Sequence, residues 1–278
     1  MRAGVLVPQP VIILNDGREM PQFGFGTWQV PDSDAAECVR DAVDIGYKLV
    51  DTAAIYENED GVGEGLRGRN QVWLTTKVWN RDQGHEGTRA ALDRSLERLG
   101  RDNVDLLLLH WPCPEQDLYV ESWKAMIELR DEGKALSIGV SNFLPEHLER
   151  LDKETGVVPA VNQVELHPTF QQRELRKVHA DMGIATQSWS PLGQGKAMNN
   201  PVIREIAEET GATPAAVVLR WHLQNGLAPI PKASSHAHAA DNFAALSTHL
   251  KRDQMGRIEM LDDANGRIGP DPATFSGL

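Results

Sequence analysis

Short apolar segments rich in β-branched residues alternate with amphipathic helical segments eight times along the chain, and this alternation constrains the fold most. The segment 104–110 has four consecutive leucines, as expected for a strand that is buried on both faces. Strands that are each followed by a helix favour a parallel sheet covered by helices. The eight predicted strands are 23–27, 48–53, 72–78, 104–110, 136–142, 160–166, 184–190 and 227–232.

Such a sheet either stays open or closes into a barrel. Open sheets that bind a dinucleotide usually carry GxGxxG after an early strand. The segment 24–29 lacks the third glycine, and the glycines of 61–66 follow no strand directly. The length of 278 residues suits one (β/α)8 barrel, which typically has ~250 residues. We therefore predict an α/β fold, a (β/α)8 TIM barrel that forms a single domain over residues 1–278, preceded by a β-hairpin that turns at Asp16-Gly17.

Charge and cysteine content narrow the possible partners. The formal net charge of −12 disfavours nucleic-acid binding, because an acidic chain repels phosphates. The two cysteines, Cys38 and Cys113, are too far apart for a CxxC pair, and so few cysteines fit a reducing compartment. The N-terminal segment lacks the cleavage pattern of a leader peptide, and no apolar run reaches the ~20 residues of a membrane span. We expect a soluble, cytoplasmic monomer with neither nucleic-acid nor membrane partners.

Nearly every predicted strand becomes polar at its C-terminal end. In a (β/α)8 barrel these ends converge on one mouth, where active sites are built. Strands that end where polar loops begin would explain a Thr or Ser, but an unpaired charge inside a strand is costly. We therefore expect Asp51 and Lys77 to pair, and we favour a functional role over a purely structural ion pair. The polar strand ends are Thr27, Asp51, Lys77, His110, Ser141, Asn142, Glu165, Ser190 and Lys232.

Asp51, Tyr56, Lys77 and His110 form a candidate catalytic group. A Tyr hydroxyl has an ordinary pKa of ~10, and a nearby ammonium is expected to lower it. Asp51 would hold Lys77 charged and in place, and His110 could orient a carbonyl oxygen by donating a hydrogen bond. This group suits general-acid protonation of a carbonyl oxygen while hydride arrives at the carbon.

Seven segments, in chain order, resemble the aldo-keto reductase family over residues 10–270. They are GYKLVDTAAIYENE (46–59), TTKVW (75–79), LLLLHWP (106–112), GVSNF (139–143), VNQVELHP (161–168), SWSPLGQG (188–195) and IPK (230–232). The chain resembles prokaryotic-type members such as the 2,5-diketo-D-gluconate reductases. The resemblance implies NADPH-dependent reduction of aldehydes or ketones without a metal. It assigns catalysis to Asp51, Tyr56, Lys77 and His110, with Tyr56 as the proton donor.

The resemblance also implies a cofactor site at the barrel mouth. Ser141, Asn142 and Gln163 match the residues that hold the nicotinamide carboxamide. Trp189 stands where the family stacks an aromatic ring on the nicotinamide, although a lone Trp is more often part of a core. The other residues that we expect to bind the cofactor are Gly26, Thr27, Asp51, Ser190, Pro191, Leu192, Gln194, Lys232, Ala233, Ser234, His238 and Asn242.

One cofactor position departs from the family pattern. Members that prefer NADPH usually have an Arg six residues after the Lys that matches Lys232, and here that position is His238. A His is mostly neutral near pH 7 and grips phosphate less well than an Arg. We therefore hypothesise NADPH use through Lys232 and Ser234, with unusual tolerance of NADH. His236 and His238 without further ligands rarely make a metal site, so no metal is expected.

Three tryptophans follow predicted strand ends and are expected to line the substrate pocket. In the family, the residues that match Trp28, Trp79 and Trp111 contact substrate, together with those that match Tyr56 and His110. The alternative is that these rings only pack beneath the loops. The segments after His110 and at the C-terminus are short, so we expect an open pocket with broad specificity for small carbonyl compounds.

Two other functions remain open at this point. A non-enzymatic, NADPH-binding regulatory subunit of the same fold would bind the cofactor without turnover, and the complete catalytic group argues against it. An aldolase that forms a Schiff base on Lys77 is the second alternative. Tyr56 and the nicotinamide-binding segments argue against that alternative.

Overall fold

The computed structural model describes residues 9–277. Residues 1–8 and 278 of the predicted domain lie outside the described residues, and so does most of the N-terminal segment that was compared with a leader peptide. The described chain begins with an antiparallel hairpin of β1 (Val11–Ile13) and β2 (Glu19–Pro21). Its turn is the predicted Asp16-Gly17, and Gly17 has φ 86°, a conformation that glycine adopts without strain. The predicted N-terminal hairpin is confirmed.

Eight parallel strands follow, and their order in the sheet is their order in the chain. The sheet closes where the backbone N–H groups of Gly24 and Gly26 donate to the carbonyls of Pro229 and Pro231, respectively. The predicted (β/α)8 barrel is therefore confirmed. The strands are β3 (Phe25–Gly26), β4 (Leu49–Asp51), β5 (Trp73–Val78), β6 (Val104–Leu109), β7 (Ala135–Ser141), β8 (Val161–Glu165), β9 (Ala185–Trp189) and β10 (Ala228–Pro229).

Helices cover the outside of the barrel and pack their apolar faces against it. Two of them begin at side-chain caps, because the side chains of Thr213 and Ser235 accept from backbone N–H groups in the first turns of α8 and α9. The helices are α1 (Asp32–Ile45), α2 (Glu59–Gly65), α3 (His85–Leu99), α4 (Tyr119–Asp131), α5 (Pro145–Thr155), α6 (Arg173–Met182), α7 (Pro201–Thr210), α8 (Pro214–Gln224), α9 (His236–Phe243) and α10 (Arg252–Glu259).

The hairpin closes one end of the barrel. Leu14 and Met20 from the hairpin belong to the same buried cluster as Leu49, Trp73 and Leu106 from the strands. The opposite end, where the strands finish, is therefore the open one, and the polar strand ends lie there. Within the described part of the chain, no helix combines the length and the apolar character needed to cross a membrane.

Candidate active site

An ion pair joins two neighbouring strands at the open end of the barrel. Lys77 on β5 donates from Nζ to Asp51 Oδ1 on β4 at 2.6 Å, and the Lys77 side chain is fully buried. The same ammonium donates to the Thr52 carbonyl at 2.8 Å and to Tyr56 Oη at 3.4 Å. Because Tyr56 Oη accepts from Lys77, its own O–H is left to donate elsewhere. His110, at the end of β6, has its ring centroid 5.9 Å from that of Tyr56, so all four predicted residues meet.

The turn that carries Tyr56 is held by a buried amide that the sequence reasoning missed. Asn58 is fully buried, and its Nδ2 donates to the carbonyls of Thr27 and Val30 at 2.9 Å each. Its Oδ1 accepts from Thr52 Oγ1 at 2.9 Å. These bonds tie the Tyr56 turn to the loop after β3. The only signal in the sequence was a polar residue within the segment 46–59.

The pKa of Tyr56 differs from the prediction. Burial of the phenol raises its pKa above the ordinary value, and Asp51 adds to this rise, whereas Lys77 acts in the opposite direction. The predicted net lowering by Lys77 is therefore wrong for the protein by itself, because the loss of hydration outweighs the ammonium. The hydroxyl remains protonated at neutral pH, which is the state a proton donor requires.

Lys77 keeps its charge although it is buried. Burial alone would lower its pKa, but the Asp51 carboxylate and the Tyr56 oxygen outweigh burial and raise it. Burial raises the pKa of Asp51, and Lys77 counteracts that rise. The raised pKa of Lys77 keeps its ammonium charged, and this ammonium faces the Asp51 carboxylate at 2.6 Å. The pair is therefore ionised at neutral pH.

His110 is neutral. Burial, and secondarily the Lys77 charge, place the pKa of His110 well below its usual range. Its Nδ1 is buried and has no hydrogen-bond partner among residues 9–277. The ring of Trp79 packs edge-on against it, with centroids 5.0 Å apart. A neutral imidazole has one N–H, so His110 can donate one hydrogen bond without supplying a charge.

A cavity of about 620 Å³ opens above these groups. The five residues predicted to contact substrate all line it: Trp28, Tyr56, Trp79, His110 and Trp111. Of the residues predicted to bind the cofactor, those that line it are Gly26, Asp51, Ser141, Asn142, Gln163, Trp189, Ser190, Pro191, Gln194 and Lys232. One continuous space therefore contains both predicted sets.

Six residues predicted to bind the cofactor lie outside the cavity lining. Thr27 is buried, and its hydroxyl donates to the Asp51 carbonyl at 3.1 Å, which holds β4. Ala233 and Asn242 are also buried, whereas Ser234 and His238 are exposed beyond the rim. Leu192 is partly buried, in the loop after β9.

A polar shelf, formed by Ser141, Asn142 and Gln163, lies beside the catalytic group. Asn142 Nδ2 donates to the His110 carbonyl at 3.0 Å, and Trp189 Nε1 donates to Asn142 Oδ1 at 2.8 Å. Gln163 Nε2 donates to Asp51 Oδ2 at 2.7 Å. The polar shelf and the partly exposed Trp189 ring thus present amide groups next to an aromatic face. The amide N–H groups of Asn142 and Gln163 are already donated within the protein, so the polar shelf offers amide oxygens as acceptors. Acceptors beside an aromatic face suit a planar ring that carries a carboxamide N–H₂.

The C-terminal segment covers one side of the cavity, which the sequence reasoning missed. The Phe275 ring packs on Trp111, with centroids 4.4 Å apart. No periodic pattern marks this segment, and its contacts are far away in the sequence, so the chain offered little signal. The lining residues that were not predicted are Gln29, Ile55, Ile230, Ile268, Gly269, Pro270 and Phe275.

Comparisons with known proteins agree with this geometry. Residues 21–263 match the model of the aldo/keto reductase family. An aldo-keto reductase of Mycolicibacterium smegmatis is 49% identical over 96% of this chain and 98% of its own. The methylglyoxal reductase DkgA of Escherichia coli is 47% identical over the same shares. A crystal structure of a Gox0644 mutant in complex with NADPH superposes with a TM-score of 0.95, at 50% identity over 96% of this chain and 99% of that one. The chain therefore belongs to the aldo/keto reductase family.

Proposed function

We propose that the protein reduces an aldehyde or ketone to an alcohol with NADPH, and that Tyr56 donates the proton. The observation that carries this proposal is the bond from Lys77 Nζ to Tyr56 Oη, which leaves the phenolic O–H free at the cavity floor. A neutral His110 and the polar shelf lie beside it. A relative that is named a methylglyoxal reductase supports the same reaction class, and so does a similar crystal structure that was solved in complex with NADPH.

NADPH, when bound, supplies the hydride that the carbonyl carbon accepts. His110 and the Tyr56 hydroxyl hold the carbonyl oxygen by hydrogen bonds. As negative charge develops on that oxygen, the Tyr56 proton moves to it and an alcohol forms. The phenolate left on Tyr56 lies 3.4 Å from the Lys77 ammonium, which stabilises its negative charge. Asp51 keeps this ammonium charged and in position.

The polar shelf would hold the nicotinamide carboxamide, and Trp189 would stack on the ring. Gly26 and Asp51 end β3 and β4, and we expect them, with Thr27, to lie beside the nicotinamide. Ser190, Pro191, Leu192 and Gln194 belong to the loop after β9, and Lys232, Ala233, Ser234, His238 and Asn242 to the segment after β10. The N-terminus of α9 beside Lys232 offers backbone N–H groups to a phosphate.

A panel of small carbonyl compounds tests this function directly. The loss of NADPH absorbance is followed with aldehydes, ketones and 2-oxoaldehydes, with and without the protein. We expect turnover of several small aldehydes. A protein that binds NADPH but turns over none of them would instead fit a non-enzymatic regulatory subunit.

The cofactor preference depends on the exposed His238. We expect the kcat/KM ratio of NADPH to NADH to stay below about 10³, because His238 stands where the family's Arg would grip the phosphate with a planar fork of donors. His238→Arg should raise this ratio about tenfold, since the guanidinium grips phosphate with two charge-assisted bonds. His249→Arg, at an exposed histidine after α9, serves as a control for added surface charge. A native ratio above about 10³ would reject the tolerance of NADH.

The neutral state of His110 has a consequence for the pH profile. Its folded-state pKa is depressed, so the ring gains a proton only well below pH 6.5. We expect kcat/KM for carbonyl reduction to change less than about twofold between pH 6 and 8 because of this group. An inflection near pH 6.5 that disappears in His110→Gln would show instead that the imidazole is charged during part of this range.

We also propose that the chain forms a single domain and works as a monomer in the cytoplasm. The continuous barrel from β3 to β10 supports one domain. Cys38 and Cys113 are unpaired thiols, as is usual in a reducing compartment. Sedimentation of the purified protein at micromolar concentration tests the oligomeric state.

A further inference from the structure

Glu165 is a buried carboxylate at the mouth of the barrel that the proposed reaction does not use. It is the last residue of β8, and its side chain is fully buried. A buried carboxylate is costly unless several donors satisfy it. The hydrogen-bond partners of Glu165 therefore indicate its role.

Both oxygens of Glu165 bind the C-terminal segment. Oε1 accepts from the backbone N–H of Ile268 at 2.6 Å and lies 3.0 Å from His167 Nε2. Oε2 accepts from the backbone N–H of Gly269 at 2.8 Å. Burial would raise the pKa of Glu165, but the bonds from His167, Gly269 and Ile268 outweigh burial and lower it. The carboxylate is therefore ionised and holds two consecutive amides of a segment about 100 residues away in the sequence.

The segment that Glu165 holds is here called the strap, residues 266–270. Ile268, Gly269 and Pro270 of the strap line the cavity. A methyl group added at Gly269 would lie 2.5 Å from Cη2 of Trp189 and 2.9 Å from Glu165 Oε2. The strap is thus in direct contact with the Trp189 ring. On its other side the ring donates from Nε1 to Asn142 of the polar shelf.

We propose that Glu165 is a positioning residue that clamps the strap against Trp189 and so fixes the aromatic surface on which the nicotinamide stacks. This inference rests on the proposed function, because it takes Trp189 as the stacking residue. The path of contacts runs from Glu165 through the backbone of Ile268 and Gly269 to Trp189 and Asn142. Loss of the clamp lets the Trp189 ring rotate away from the polar shelf, and the cofactor then binds less tightly.

Glu165→Gln tests the clamp with little change in shape. The glutamine oxygen can still accept from one of the two backbone N–H groups, those of Ile268 and Gly269. The glutamine N–H₂ would face the other N–H group, and two donors cannot form a hydrogen bond with each other. We expect the Kd of NADPH, measured by the change in its fluorescence on binding, to rise about tenfold, the effect expected if the released Trp189 ring occupies its stacking position only about one tenth of the time. The KM for NADPH should rise in parallel, while kcat at saturating NADPH stays within about threefold.

Gly269→Ala perturbs the same contact from the other side. The added methyl group pushes on both the Trp189 ring and the Glu165 carboxylate, so this variant should also weaken NADPH binding although the carboxylate keeps its charge. Asp105→Asn is the matched control. Asp105 accepts from the Leu74 backbone N–H at 2.9 Å near the closed end of the barrel, far from the strap. The Asp105→Asn variant should have a lower midpoint of thermal unfolding than the native protein but the same Kd for NADPH.

The outcomes separate this inference from the proposed function. If the native protein neither binds NADPH nor reduces carbonyls, the proposed function fails. If the native protein does both, and Glu165→Gln and Gly269→Ala keep the native Kd, the clamp is wrong. If one of the two variants does not fold, the Kd of the other decides the test, because both variants change the contact between the strap and Trp189. A higher Kd in both variants, with an unchanged Kd in Asp105→Asn, supports the clamp.

Discussion

Tyr56→Phe is expected to lower kcat for carbonyl reduction by about 10²–10⁴-fold, the usual contribution of a positioned general acid. The substitution removes only the oxygen that lies 3.4 Å from Lys77 Nζ. The ring remains and keeps the shape of the cavity floor. The Kd of NADPH should therefore stay within about twofold of the native value. Stopped-flow measurement of the decrease in NADPH absorbance, with enzyme in excess, separates the chemical step from cofactor binding.

Tyr119→Phe is the matched control for this experiment. Tyr119 lies on α4, where its hydroxyl accepts from Arg150 at 3.3 Å on the outer side of the barrel. Removing that oxygen changes a partly buried contact outside the cavity lining and should leave kcat unchanged. If Tyr56→Phe kept more than about one tenth of the native kcat, a group other than the Tyr56 hydroxyl must supply the proton.

Lys77→Met is expected to destabilise the protein by about 3–5 kcal/mol, because Asp51 would be left as a buried charge without a partner. The same variant should lose carbonyl reduction to a degree close to that of Tyr56→Phe, since the phenolate would form without a nearby cation. Urea unfolding followed by far-UV circular dichroism gives the free energy of unfolding. The rate of NADPH oxidation gives the second effect.

The double variant Asp51→Asn/Lys77→Met distinguishes stability from catalysis. It removes both charges, so most of the lost unfolding free energy should return. The reduction rate should stay low, because the ammonium beside Tyr56 is still missing. If the double variant regained native activity, the ion pair would serve the fold alone and Lys77 would have no part in the reaction.

Much of the fold follows from patterns that extend over short stretches of sequence. The alternation of apolar strand segments and amphipathic helices determines the barrel, and the polar strand ends then converge at one mouth. For this reason Asp51 and Lys77, 26 residues apart in the chain, could be predicted to pair before their 2.6 Å bond was seen.

The features that escaped prediction depend on contacts distant in the sequence or on burial. Asn58 reaches back to Thr27 and Val30, and Glu165 reaches forward to Ile268 and Gly269, and no periodicity marks either set. The direction of the Tyr56 pKa shift failed for another reason. A nearby ammonium can be inferred from the sequence, but the depth of burial that outweighs it cannot.

A crystal structure of the protein with the oxidised cofactor and an unreactive carbonyl analogue tests the central claim most directly. Our account predicts the carbonyl oxygen within about 2.6–3.2 Å of both Tyr56 Oη and a ring nitrogen of His110, with the carbonyl carbon facing the nicotinamide. An oxygen bound elsewhere in the cavity, with Tyr56 turned away from it and from Lys77, would contradict the assignment of Tyr56 as the proton donor.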